Sequence, residues 1–132
     1  MEAKMSIARW FQSSKEAALR RERKLRFAAI QKTNPAFKNL LEEWDEAEQT
    51  FSFLSSPWHF GHPLFARTLA MGESIVPLLL VELARNPRWW MFSALREISH
   101  ENPVPSRHRG MFPEMSDDWL ERGEEKGYLP AD

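Results

Sequence analysis

A chain of 132 residues, 42% hydrophobic and without cysteine, is long enough to bury one core without covalent staples, and it excludes disulfides, thiolate metal sites and cysteine nucleophiles. The formal net charge of −1 hides an uneven distribution: residues 1–32 carry nine basic against three acidic side chains, a net +6, and the other 100 residues carry a net −7. The stretch "MEAKMSIARWFQSSKEAALRR" has no apolar h-region and the longest apolar run, Ile75 to Leu83, is broken by Pro77 and Glu82. We therefore expect a cytoplasmic protein with no signal peptide and no membrane partner, since a span needs ~20 apolar residues.

The pattern is helical throughout, because no alternation of β-branched residues persists beyond a few positions. The expected fold class is all-α, a compact bundle of about six helices. Roughly Met5 to Lys32 is rich in Ala, Lys, Arg and Glu, all good helix formers. Ile7, Phe11, Ala18, Leu25 and Ala29 share one side of that helix; Leu19, Phe27 and Ile30 lie elsewhere, and basic residues surround it. We read residues 1–32 as a basic N-terminal arm and 33–132 as the helical domain.

In "TNPAF", Asn34 suits an N-cap and Pro35 the first helical position. From there Phe37, Leu40, Leu41, Trp44, Ala47, Phe51 and Leu54 recur at three- and four-residue steps, with Glu42, Glu43, Asp45 and Glu46 outside the stripe. "SSPWHFGHP" reads as a loop, with His62 capping a short helix from Pro63 to Met71 that Gly72 ends. Ser74 is placed as the cap of an almost wholly apolar helix, Ile75 to Arg85, which should be the most enclosed element. Asn86-Pro87 repeats the Asn34-Pro35 pattern and opens a helix through Ile98. "SHENPVPSRHRG" is extended, because residues before proline avoid the helical region. A last helix from Pro113 to Lys126 turns Met115, Trp119 and Gly123 inward, and Gly127 ends it.

The segment "MGESIVPLLLVELARNPRWWMFSALREI" resembles a HEAT-like helical repeat unit through Val76-Pro77-Leu78-Leu79, Leu83, Asn86-Pro87, Ala94-Leu95 and Ile98. More widely, residues 62–128, "HPLF…MG..IVPLLL.EL…NPVP…WL..G…GY", resemble an uncharacterised family of small bacterial helical proteins. The resemblance implies a helical body behind a variable N-terminal extension. It supplies no activity and no catalytic residues, and the basic arm lies outside it.

Reactive chemistry is sparse. His59 and His62 stand three apart, with His100 and His108 in a later loop, but no HExxH pattern or ligand set of suitable spacing accompanies them, so no metal or cofactor is expected. Asp117 and Asp118 fall early in a helix where negative charge suits the dipole. Glu97, His100 and Glu101 fall at a helix end. With no Gly-rich phosphate loop or nucleophile elbow, no catalytic residue is named and no enzyme is expected.

Two binding readings remain. Trp89 and Trp90 flank the apolar face of their own helix on opposite sides. We expect one in the core and one beside a groove, and with Trp58 they form a candidate partner-binding set, tryptophan being enriched at interaction hot spots. This favours a non-catalytic protein–protein interaction module, an adaptor, accessory subunit or antitoxin-like partner of another protein. The alternative is nucleic-acid binding by Arg20, Arg21, Arg23, Lys24 and Arg26, extended by Arg107 and Arg109, which would neutralise phosphates. Against it stand the spread of those charges round the helix and the acidic residues of the next helix, expected to pair with them.

Overall fold

The computed structural model describes residues 7–51 and 61–129, with side chains described for 10–50 and 61–129. The described residues form six α-helices and no strand: α1 (Ile7–Ala28), α2 (Pro35–Phe51), α3 (Pro63–Ala70), α4 (Val76–Arg85), α5 (Trp89–Ser99) and α6 (Phe112–Glu125). The chain is an all-α helical bundle, as its periodicity predicts. Leu54, Trp58 and His59 lie outside the described residues, as do the side chains of Ile7 and Phe51.

The caps explain where several helices start and stop. The Phe37 N–H donates to Asn34 Oδ1 at 3.2 Å, and the Leu64 N–H donates to His62 Nδ1 at 3.1 Å, so both predicted N-caps form. Gly127, at φ +85°, closes α6 while the Tyr128 N–H reaches back to Gly123 O at 2.9 Å. Two expected starts shift. Ser74 lies in a 3₁₀ turn, Gly72–Ile75, and its hydroxyl donates to Met71 O, so α4 begins at Val76 without a side-chain cap. Asn86 closes α4, and Arg88, with extended backbone, stands at the N-cap of α5 while its guanidinium pairs with Asp45 and Glu82.

Helix α4 lies at the centre, with Leu79, Leu80 and Leu83 essentially inaccessible. Phe37, Leu40 and Trp44 of α2, Met91 and Leu95 of α5, and Trp119 and Leu120 of α6 complete the same core. Each such burial contributes about 1.5–3 kcal/mol. Trp44 stacks on Trp90 with ring centroids 4.7 Å apart and planes 9° apart. Its indole N–H donates to Thr68 Oγ1 at 2.9 Å, and that hydroxyl donates to Leu64 O at 2.7 Å, so the one polar handle of the ring is satisfied in the core.

Helix α1 packs on α4 and α6, not on the acidic α2 as its charge suggested. Phe27 is fully buried, and Phe11 and Leu25 of the shared apolar side are exposed. The reason lies in α6. Gly123 brings α6 so close that an added Cβ would stand 2.6 Å from Leu80 Cδ1 and 3.2 Å from Phe27 Cζ. Around this contact Arg20 and Arg23 of α1 meet Asp117 (3.9 Å) and Glu124 (2.8 Å) of α6. Arg85 then fixes the end of α1, donating to Ala28 O at 2.8 Å and Ile30 O at 2.5 Å and so satisfying carbonyls a helix terminus leaves open. The acids of α2 take other arginines: Glu43 forms a two-pronged pair with Arg67, and Asp45 one with Arg88.

Candidate interaction face

With Phe27 turned inward, the opposite side of α1 faces solvent. Trp10 is 56% exposed, Phe11 59%, Leu19 49% and Leu25 66%. At ~100° per residue, Trp10, Ala18, Leu25 and Phe11 share one sector of the helix, and Leu19 stands apart from it, about 80° beyond Phe11. The Trp10 and Phe11 rings sit edge to face, with centroids 5.0 Å apart. Exposed Arg21 lies within the sector; Lys24 borders one side, and Lys15 and Glu22 the other. This is a solvent-facing apolar stripe set among cations.

The paired tryptophans separate as expected. Trp89 is 49% exposed and leans on Phe112, ring centroids 4.2 Å apart, at the edge of a shallow depression of about 110 Å³ that also touches Val104 and Met115. Trp90 is 2% exposed beneath α2. It presents no surface to a partner, which corrects its place in the candidate set: its ring is covered by the stacked ring of Trp44. Trp58, the third member, lies outside the described residues.

The basic candidates do not form one track. Arg23 and Arg26 lie 2.8 and 3.8 Å from Glu124, and Arg20 lies 3.9 Å from Asp117. Arg21 and Lys24 face solvent, as do Arg107 and Arg109 on the loop before α6. Arg20 and Arg107 share a cleft of about 490 Å³ with Glu114, Asp117, Asp118 and Glu121, carboxylates that oppose a phosphate. In that cleft His108 Nδ1 meets Asp118 Oδ2 at 2.7 Å. Burial pushes the Asp117 carboxyl above its ordinary range, partly countered by Arg20 and Lys24.

Elsewhere the charges brace the bundle. Burial opposes the charge of Arg88, but hydrogen bonds and the charges of Asp45 and Glu82 outweigh it and hold its pKa up. Glu101 accepts from Arg122, whose hydrogen bond keeps that carboxyl below its usual range, with Lys126 3.3 Å away. Among the described residues no group of His, Asp or Glu is placed to hold a metal ion. No single helix among them is long and apolar enough to cross a membrane.

Comparison with protein-family models, with curated proteins and with solved structures gives no match for this chain. A functional reading therefore rests on geometry. The residues that sequence reasoning missed are Trp10, Phe11, Leu19 and Leu25. Their signal was the seven-residue step Phe11, Ala18, Leu25, which marks a shared side of α1 without telling whether that side meets the body or the solvent.

Proposed function

We propose that this protein is a non-catalytic protein–protein interaction module, a small bacterial adaptor, accessory subunit or antitoxin-like partner acting in the cytoplasm. It engages another protein through the outer stripe of α1. The observation that carries this reading is three large apolar side chains, Trp10, Phe11 and Leu25, each more than half exposed and within about 100° of one another on one helix. A surface of this kind marks an interaction site, and aromatic side chains dominate binding energy at such sites. Arg21, Lys15 and Lys24 beside the stripe favour a partner helix with an apolar face and acidic flanks, docked as helix on helix. The same cations disfavour pairing of α1 with a second copy of itself, whose charges are identical. The resemblance of residues 71–98 to a HEAT-like helical repeat unit, a type of unit that builds binding surfaces, supports the same reading.

The test is co-purification from a native host lysate with wild type and with the Trp10→Ala, Phe11→Ala, Leu25→Ala triple variant. We expect a stoichiometric protein partner, insensitive to nuclease, that the triple variant loses while keeping its thermal melt. Capture that is nuclease-sensitive, falls steeply with salt and is lost in Arg21→Ala, Lys24→Ala but kept in the triple variant would overturn the proposal in favour of nucleic acid.

A further inference from the structure

A second feature lies away from the stripe, where the first turn of α2 faces the side of α4. Between them is a groove of about 540 Å³, inside the ~300–1,000 Å³ range of small-molecule sites. Its floor is apolar: Phe37 and Leu41 from α2, Leu78 and Val81 from α4. Its rim is basic. Lys32 and Lys38 are exposed, and Arg85 is pinned in place by the Ala28 and Ile30 carbonyls. Glu82 is the acid on the lining, and it already faces Arg88 at 3.2 Å and Arg85 at 3.8 Å. The first turn of α2 contains no acidic residue, so the N-terminus of this 17-residue helix, capped by the neutral Asn34, adds positive potential beside these lysines.

An apolar floor under a cationic rim selects for a ligand with one apolar part and one negative group. We propose that this groove binds a small amphipathic carboxylate, its apolar chain or ring lying on Phe37, Leu41, Leu78 and Val81 and its carboxylate between Lys32 and Lys38. A bare anion would leave the floor wet, and an amphipathic cation would meet three basic side chains. The site is independent of the α1 stripe.

The full chain, ¹⁵N-labelled, is titrated with dodecanoate below its micelle concentration, with dodecyltrimethylammonium and with inorganic phosphate. Dodecanoate is expected to saturate, with amide shifts confined to residues 32–41 and 78–85. The cationic amphiphile, and dodecanoate with the Lys32→Glu, Lys38→Glu variant, are each expected to bind about tenfold more weakly or worse. Phosphate is expected not to saturate. Both lysines are exposed, so the variant is expected to keep its thermal melt, and unchanged melting verifies that it is folded. The proposal is overturned if dodecanoate does not bind or its shifts centre on Trp10 to Leu25. It is equally overturned if both amphiphiles bind alike, if charge reversal has no effect, or if phosphate binds as tightly.

Discussion

In α2 the stripe that begins at Phe37 runs into the core through Leu40 and Trp44, and the acids beside it find arginines at Arg67 and Arg88. In α1 the stripe of Phe11, Ala18 and Leu25 faces water, and the helix enters the core through Phe27, which stands off that stripe. Helix α2 is clearly amphipathic and buries the side its pattern marks; α1, with basic residues all round, has a weaker apolar side and leaves it in water. Amphipathicity tells that a helix has an apolar side; it does not tell which side the body takes. For α1 the body offers a close approach at Gly123 and two well-spaced carboxylates, Asp117 and Glu124, and these match Arg20, Arg23 and Phe27. The ion pairs are partly exposed and worth ~0–1 kcal/mol each, so Phe27 supplies most of the attachment. The outer stripe is then left as surface for something else to cover.

The comparison is broken most directly at its two anchors. Phe27→Ala and Trp44→Ala should each cost about 3–5 kcal/mol in urea unfolding, because both leave cavities in a packed core. Phe11→Ala and Leu25→Ala should stay within about 0.5 kcal/mol of wild type. If Leu25→Ala costs as much as Phe27→Ala, the two faces of α1 have been exchanged.

A smaller effect separates the arginines that brace α2 from those on α1. Arg88→Ala removes charged hydrogen bonds to Asp45 and Glu82 on a half-buried side chain and should cost about 1.5–3 kcal/mol. Arg20→Ala, whose pair is longer and more exposed, should cost under ~1 kcal/mol. Equal losses in the same unfolding assay would mean that α1 is held by charge as strongly as α2 is.

The smallest effect concerns the α1–α6 seam and its pH dependence. The Asp117 pKa is raised in the folded state, so the folded protein disfavours the ionised form. That penalty is present at neutral pH and is relieved as the pH falls through the folded-state pKa. Asp117→Asn should therefore raise the melting temperature slightly near neutrality, by a free energy under ~1 kcal/mol, and the advantage should vanish below the ordinary aspartate range. A variant less stable than wild type at neutral pH would show that pairing with Arg20 outweighs burial.

Much of the fold was legible in the residues. Asn34 and His62 cap their helices because a cap depends on a donor two or three residues away. Gly127 ends α6 because only the left-handed backbone there returns the Tyr128 N–H to Gly123. Helix α5 starts two residues later than Asn86-Pro87 suggests: that dipeptide has the local form of a cap, but Arg88 holds the N-cap, with its side chain paired to Asp45, 43 positions earlier in the chain. The candidate site was legible in part. That Trp89 and Trp90 cannot both lie on the apolar face of α5 follows from helical geometry alone; that Trp90 is the one covered depends on Trp44.

By itself, then, the sequence determined the helices, most of their ends and the apolar character of α4, because these arise between residues within about one helical turn of each other. The tertiary structure alone decided which side of α1 meets the body, which tryptophan is covered, and that Phe37 and Leu78 share a groove rimmed by lysines. Each of those depends on contacts between segments tens of residues apart, set by shape and charge on both partners at once. The pattern of one helix records only its own half of such a contact.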